Sequence, residues 1–233
     1  MTDLRVAPCS HTAAKLAVER WHYSRTMPVG KLARFGIWER DEFVGVVLFG
    51  RGAAPTLGSA YGLTQTQCCE LVRVALRRHD TPVSCIVAAA LSQLGATNPG
   101  MRLVVSFADT AQGHVGTIYQ AGNWVYLGAV DHQWYKVHGR MVHPKSLHST
   151  YGKGGQSLPW LRNNVDRGAE RVSMPPKHRY VMPLDRAMRR QVTKLAQPYP
   201  QSADQVSMGD VQPTGRKGQV RSLRSAPLAE ASA

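Results

Sequence analysis

Before residue 130, apolar positions along the chain switch repeatedly between helical spacing and strand alternation. Ala13, Ala14, Leu16, Ala17 and Trp21 recur at helical spacing behind Ser10, a good N-cap, so the pattern predicts a helix over residues 11–23. Residues 32–39 and 42–49 are strand-like runs joined by Arg40-Asp41, which reads as a hairpin. Residues 50–62, rich in Gly, Ala and Pro, read as loop, and 69–77 alternate as a strand. Asp80-Thr81-Pro82 marks a helix start, with Asp80 as cap, and predicts a helix to about Leu94 stopped by Gly95. Residues 101–108 read as a buried strand, 115–121 as a short helix and 124–127 as another strand.

A hairpin followed by strand–helix–strand units implies an α/β chain with a mixed sheet and helices on both faces. From Asp131 onward regularity falls. Leu184–Leu195 reads as a basic helix with Met188, Val192 and Leu195 on one side. After Pro198 the residues are mostly Gln, Ser, Gly, Pro and Ala, a composition expected to be disordered. The expected organisation is a catalytic core over 1–130, a basic extension over 131–197 packing on it and touching nucleic acid, and a tail over 198–233.

Charge sharpens this division. Residues 1–130 hold 12 Lys and Arg against 8 Asp and Glu; residues 131–233 hold 17 against 7. The overall net charge of +14 is therefore concentrated in the second part, which points to a polyanion and most simply to nucleic acid. The candidate contacts are Lys136, Arg140, Lys145, Lys153, Lys177, Arg179 and Arg186, with Trp134, Tyr135 and Tyr151 available to stack on bases. Cys9, Cys68, Cys69 and Cys85 form no C-x-x-C pair and read as free thiols of a cytosolic protein. No run of about 18 apolar residues and no signal-peptide core is present, so a bacterial cytoplasm and no membrane are expected.

The densest chemistry lies in Ser106–Gly128. Asp109, Thr110, Gln112 and His114 crowd the turn after a buried strand, where polar groups are costly unless they bind or react. Asp109 can act as a base or as a helix cap; His114 can be catalytic or simply exposed. Arg73 sits within an apolar strand and needs an anion or a carboxylate, and strict alternation places Glu70 on the opposite face.

The order of elements resembles the GNAT acyltransferase fold. Trp21-His-Tyr-Ser24, Glu70-Leu-Val-Arg-Val-Ala75, the Ser106–Gly128 block and His178–Arg190 resemble the phage Mom family over residues 10–190. That resemblance implies an enzyme that converts adenine in double-stranded DNA to N6-carbamoylmethyladenine and so protects phage DNA from host restriction. It places His22 and Tyr23 in the site. It brings in iron, for which His22, Tyr23 and Asp109 are chemically acceptable ligands. The GNAT likeness suggests Tyr119 as a general acid. The donor loop of ordinary GNATs corresponds to Arg77–Ser84, where Arg77, Arg78, Thr81 and Ser84 are candidates for donor binding. That loop lacks the glycines that let backbone N–H groups approach a diphosphate, so acetyl-CoA competes with glycyl-tRNA as the expected donor. Two other readings stay open: an N-acetyltransferase acting on a small molecule or protein, and a non-catalytic DNA-binding protein on a transferase scaffold.

Overall fold

Strand alternation in this chain is resolved into one sheet whose two faces are covered by different helices. The structure, a computed structural model, describes residues 3–51, 56–152 and 157–201. Its strands are β1 (Leu4–Pro8), β2 (Leu32–Glu39), β3 (Glu42–Gly50), β4 (Cys68–Leu76), β5 (Leu103–Asp109), β6 (Val125–Val137), β7 (Arg140–Val142) and β8 (Glu170–Pro183). The helices are α1 (His11–Trp21), α2 (Val83–Thr97), α3 (Thr117–Ala121), α4 (Pro144–Tyr151), α5 (Leu158–Asn164) and α6 (Arg186–Thr193). Among the described residues the strands form one sheet in the order β1-β2-β3-β4-β5-β8-β6-β7. The mixed α/β class expected from the sequence is the one observed.

Alternation decides which helix covers which face. In β3, Val44, Val47 and Phe49 pack with Ile86, Val87 and Leu91 of α2, whereas Val46 and Leu48 pack with Ala14, Ala17 and Val18 of α1. In β5, Val104 and Ala108 point to α2, and Leu103 and Val105 to Met188 and Val192 of α6. Helices α1 and α6 therefore share one face and α2 covers the other. Each fully buried Phe, Leu or Ile, such as Phe49, Ile37 and Leu94, contributes about 1.5–3 kcal/mol by leaving water.

Two features of the sheet create the site. Strands β4 and β5 pair in parallel only from Cys68↔Leu103 to Glu70↔Val105, although β4 continues to Leu76 and β5 to Asp109. Beyond that point they separate and leave a gap. The register between β3 and β4 also shifts, with Leu48↔Arg73 followed by Phe49↔Leu71, so Val72 is a bulge.

Several boundaries differ from the sequence reading. Pro82, not Asp80, precedes the first turn of α2, and the helix continues through Gly95 to Thr97. A Cβ at Gly95 would meet nothing within 4 Å, so this glycine ends nothing and costs only intrinsic propensity. The boundary expected at residue 130 falls inside β6, which pairs with β8 as far as Lys136↔Glu170. Strand β8, from the expected extension, lies between β5 and β6. Pro175, Pro176 and its exposed charges hide its alternation. The far ends of β6 and β8 carry a further small core of Tyr135, Val137, Leu147, Leu161 and Ala169. Of the three apolar residues expected on one side of α6, Met188 and Val192 are buried and Leu195 is exposed. Tyr199, in the expected tail, donates to the Trp124 carbonyl at 2.6 Å; residues 202–233 lie outside the described residues. No described helix is long and apolar enough to cross a membrane, and the four cysteines are free.

Candidate active site

The end of α1 supplies the first group. Ser10 caps the start of this helix by accepting from Ala13 N–H, and the helix stops at Trp21 with His22 already extended. His22 Nδ1 accepts the Ser24 N–H at 3.0 Å and lies 2.8 Å from Ser24 Oγ. A neutral imidazole that accepts at Nδ1 carries its proton on Nε2. Burial, followed by the positive fields of Arg73 and His114, holds the His22 pKa down to about 4. His22 is therefore a neutral Nε2–H donor at physiological pH. The Tyr23 ring lies 4.2 Å from the His22 ring and 5.7 Å from that of His114.

Arg73 joins this group because of the bulge. By strict alternation Glu70 and Arg73 face apart; the extra residue at Val72 turns both toward α1, and the expectation of opposite faces is corrected. The Arg73 guanidinium donates to Val72 O at 2.6 Å and to Thr26 O at 3.4 Å. Burial lowers its pKa, against the opposing influence of Tyr23 and Glu70.

Asp109 ends β5 on the same face as Arg73. Its Oδ1 accepts Ala111 N–H at 3.1 Å and so caps the 3-10 turn Thr110–Gln112, while Oδ2 lies 3.0 Å from Lys177 Nζ on β8. His114 N–H donates to the Asp109 carbonyl at 3.2 Å, which closes the turn and brings the His114 ring to Tyr23. Both readings of Asp109 thus coexist in one carboxylate. His114 itself is exposed, as is Gln112.

Tyr119 approaches the gap from the α2 face. It is buried between Trp124 and Tyr180, with its hydroxyl 2.8 Å from Ser106 Oγ. Ser106 in turn reaches the Leu71 carbonyl at 3.2 Å, across the point where β4 and β5 part. Burial pushes the Tyr119 pKa up to about 12, so the hydroxyl keeps its proton. Gly116 holds φ +88° against the Tyr180 ring, where any Cβ would collide, and so sets the entry into α3.

The loop before α2 has a different character. Glu39 accepts Asp80 N–H at 2.8 Å and Thr81 N–H at 2.7 Å. Burial opposes ionisation of Glu39, yet these hydrogen bonds outweigh it and hold its pKa below the usual range. An internal carboxylate thus occupies the N–H groups just before α2. Arg77 pairs with Glu42 at 2.6 Å, Asp80 pairs with Arg40 at 2.7 Å, and Arg78 is exposed. Ser84 lies in the first turn of α2.

The basic residues sit in different settings. Lys177 belongs to the Asp109 site, and Arg179 lies two residues along β8 on the same face. Lys136 pairs with Glu170 at 3.1 Å, and Arg140 and Arg186 are exposed at the starts of β7 and α6. The Lys145 side chain and all of Lys153 lie outside the described residues. Of the suggested iron ligands, Asp109 already pairs with Lys177 and caps the turn through its other oxygen, and His22 Nδ1 is held by Ser24, which leaves His22 Nε2 and the Tyr23 hydroxyl to face a metal. No group of three or more His, Cys, Asp or Glu among the described residues is placed to hold a metal ion. The sequence reading missed Lys177 as the partner of Asp109, because β8 was not visible as a strand. Ser106 carried a signal, a lone hydroxyl in an apolar strand.

The sequence model of the Mom protein family matches residues 3–201. A relative in Escherichia phage Mu, named methylcarbamoylase mom, is 31% identical over 206 residues, covering 85% of this chain and 84% of that protein. Among solved structures, a Bacillus subtilis acetyltransferase in complex with CoA aligns over 79% of this chain and all of its own, at 10% identity and a TM-score of 0.44. An aminoglycoside acetyltransferase bound to coenzyme A and kanamycin aligns over 82% of this chain and 99% of its own, at 10% identity and a TM-score of 0.45. Likenesses at this level carry no functional weight. The family match spans the sheet, the gap between β4 and β5 and the groups around it, and this chain belongs to the Mom protein family.

Proposed function

We propose that this chain is a phage DNA modification enzyme that converts adenine to N6-carbamoylmethyladenine, with double-stranded DNA as substrate, in the cytoplasm of a host bacterium. The observation that carries this reading is the convergence of His22, Tyr23, Arg73, His114 and Asp109 beside the gap between β4 and β5, in a chain 31% identical to a methylcarbamoylase.

Each group has a role that its surroundings support. The exocyclic amine of adenine is a weak nucleophile and needs a proton acceptor, and Asp109 supplies a carboxylate held by Lys177. Arg73 and His22 offer N–H donors to an oxygen that gains charge during acyl transfer. Tyr119, still protonated because of burial, assists the leaving group. Adenine must leave the stack before its amine is reached.

The donor in this reading is a glycyl ester, carried by tRNA, rather than acetyl-CoA. Glu39 already fills the amides before α2, which disfavours a diphosphate there. The atoms agree: a glycyl group and a carbamoylmethyl group are isomers, whereas an acetyl group lacks the nitrogen. Attack by N6 on the ester carbonyl forms an amide and releases the ribose hydroxyl. Attack of the glycyl amine on C6 then forms a new C6–N bond and breaks the old one, leaving the original N6 as the terminal amide. Cells fed glycine labelled with 15N test this. The modified deoxyadenosine should carry one label more than unmodified deoxyadenosine from the same cells, on the nitrogen attached to C6; equal labelling of the two contradicts the glycyl donor.

A further inference from the structure

Three side-chain nitrogens on the α1/α6 face are buried without a hydrogen-bond partner among the described residues: His132 Nδ1, Trp134 Nε1 and Arg179 Nε. They lie along one strip. Val130 pairs with Lys177 and His132 with Met174, so two steps of β6 match three steps of β8, and a bulge falls at Pro175-Pro176. That bulge keeps His132 and Met174 on the face of Lys177 and Arg179. The fields of Lys177 and Asp109 both act on the His132 ring, which places it beside the site. Trp134, opposite Val172, continues the strip, with His143 edge-on to it at 5.5 Å. His132 and Trp134 run outward from Asp109 along the part of β6 and β8 that extends past β5, and Arg179, opposite Phe107, lies on the inner side of the Asp109–Lys177 pair.

An indole N–H and a guanidinium N–H can only donate. Buried and unpaired, they are matched by a ligand rich in acceptors. We propose that this strip is the subsite for the acceptor nucleotide, with Arg179 donating to ring nitrogens of an extruded adenine beside Asp109, Trp134 donating to a phosphodiester oxygen of the same nucleotide, and the flat His132 and Trp134 rings lying against it. This rests on the DNA reading above and names the residues that hold its substrate. The opposite chemistry, an amine-bearing small molecule or a lysine side chain, presents donors and leaves both N–H groups unmatched.

Binding of oligodeoxyadenylate and of an abasic strand of equal length, followed by fluorescence anisotropy, tests the subsite without any donor. The wild type should prefer the adenine strand about tenfold, within the range for base stacking on aromatics. Trp134→Phe keeps the ring and removes the N–H; Arg179→Lys keeps the charge and changes the donor geometry. Arg179→Lys should lose most of that preference and keep its affinity for the abasic strand, and Trp134→Phe should weaken both strands alike, each with an unchanged melting temperature. A preference retained within twofold in Arg179→Lys, or unchanged affinity for both strands in a folded Trp134→Phe, overturns the subsite. Arg179→Lys alone decides if Trp134→Phe fails to fold. Nucleoside mass spectrometry of plasmid DNA from the same strains separates the two claims. Modified DNA with an unaffected preference sinks the subsite and leaves the DNA reading standing, whereas unmodified wild-type DNA and no adenine preference sink both.

Discussion

Lys177 Nζ sits 3.0 Å from Asp109 Oδ2, opposite it in the β5–β8 ladder. The carboxylate proposed to receive the adenine proton is thus oriented from a neighbouring strand that is distant in sequence. Lys177→Met should lower modification by one to two orders of magnitude, because a half-buried carboxylate loses its cation and its fixed direction. The stability cost should be only about 1 kcal/mol, since the lysine end of the pair remains substantially solvated. Lys177→Arg should recover most of the activity. Nucleoside mass spectrometry and thermal melting of the three proteins check this, and full activity in Lys177→Met would refute it.

His22 gives the site a signed pH dependence. Its pKa falls from 6.5 to about 4 on folding, for reasons of burial and of nearby Arg73 and His114. Between those values the unfolded chain binds the proton and the folded one does not, so this group's contribution is intact above pH 6.5 and is lost as pH falls toward 4. The slope approaches about 1.4 kcal/mol per pH unit. Urea melts of the wild type from pH 7 to 4 should show that loss, and His22→Asn should flatten it. Parallel curves for the two proteins would mean that the imidazole is not buried neutral.

Glu39 offers a test of the donor. Its carboxylate accepts two backbone N–H groups before α2, so Glu39→Gln should cost about 1.5–3 kcal/mol, the scale of hydrogen bonds to a charged group. Its lowered pKa means that this contribution is present above the ordinary carboxylate range and is lost as pH falls below it. Calorimetry of the wild type with coenzyme A should give no saturable heat. Micromolar binding would return the acetyl donor to consideration.

The elements from residue 11 to 127 were legible because each carries its own period and punctuation: Ser10 before α1, Arg40-Asp41 between β2 and β3; the five residues of β1 carry no such marks and were not read as a strand. Arg40 and Asp41 both take positive φ, as the tight turn requires. What stayed hidden depends on pairing between distant segments. Pro175 and Pro176 within β8 disguised a strand, and with it the partner of Asp109 and the face shared by His132 and Arg179. The bulge at Val72 was equally invisible, since nothing in Glu70–Ala75 announces an extra residue; alternation then gave the wrong face for Glu70. Asp109 and Tyr119 were visible as chemistry but not as geometry. Only the structure shows that one caps a turn and the other is buried beside Ser106.

Asp185 joins β8 to α6. It accepts Met188 N–H at 2.8 Å as the N-cap and takes Arg102 at 2.7 Å. The Arg102 hydrogen bond, followed by that from Met188, lowers its pKa to about 2. Asp185→Ala should destabilise by about 1–2 kcal/mol, mostly through the lost cap, because the ion pair is more than a third exposed. Activity per folded molecule should be unchanged. Chemical denaturation measures the first quantity, and a loss of activity without loss of stability would draw Asp185 into the chemistry.

The most direct test of the central claim is mass spectrometry of nucleosides from plasmid DNA in bacteria expressing the wild type or Asp109→Ala at matched soluble levels. A deoxyadenosine heavier by the carbamoylmethyl group, present with the wild type and lost in Asp109→Ala at an unchanged melting temperature, is the predicted result. Equal modification by both proteins would remove Asp109 from the chemistry, and unmodified DNA from the well-folded wild type, supplied with its host's tRNA, would contradict the assignment of adenine in DNA as the substrate.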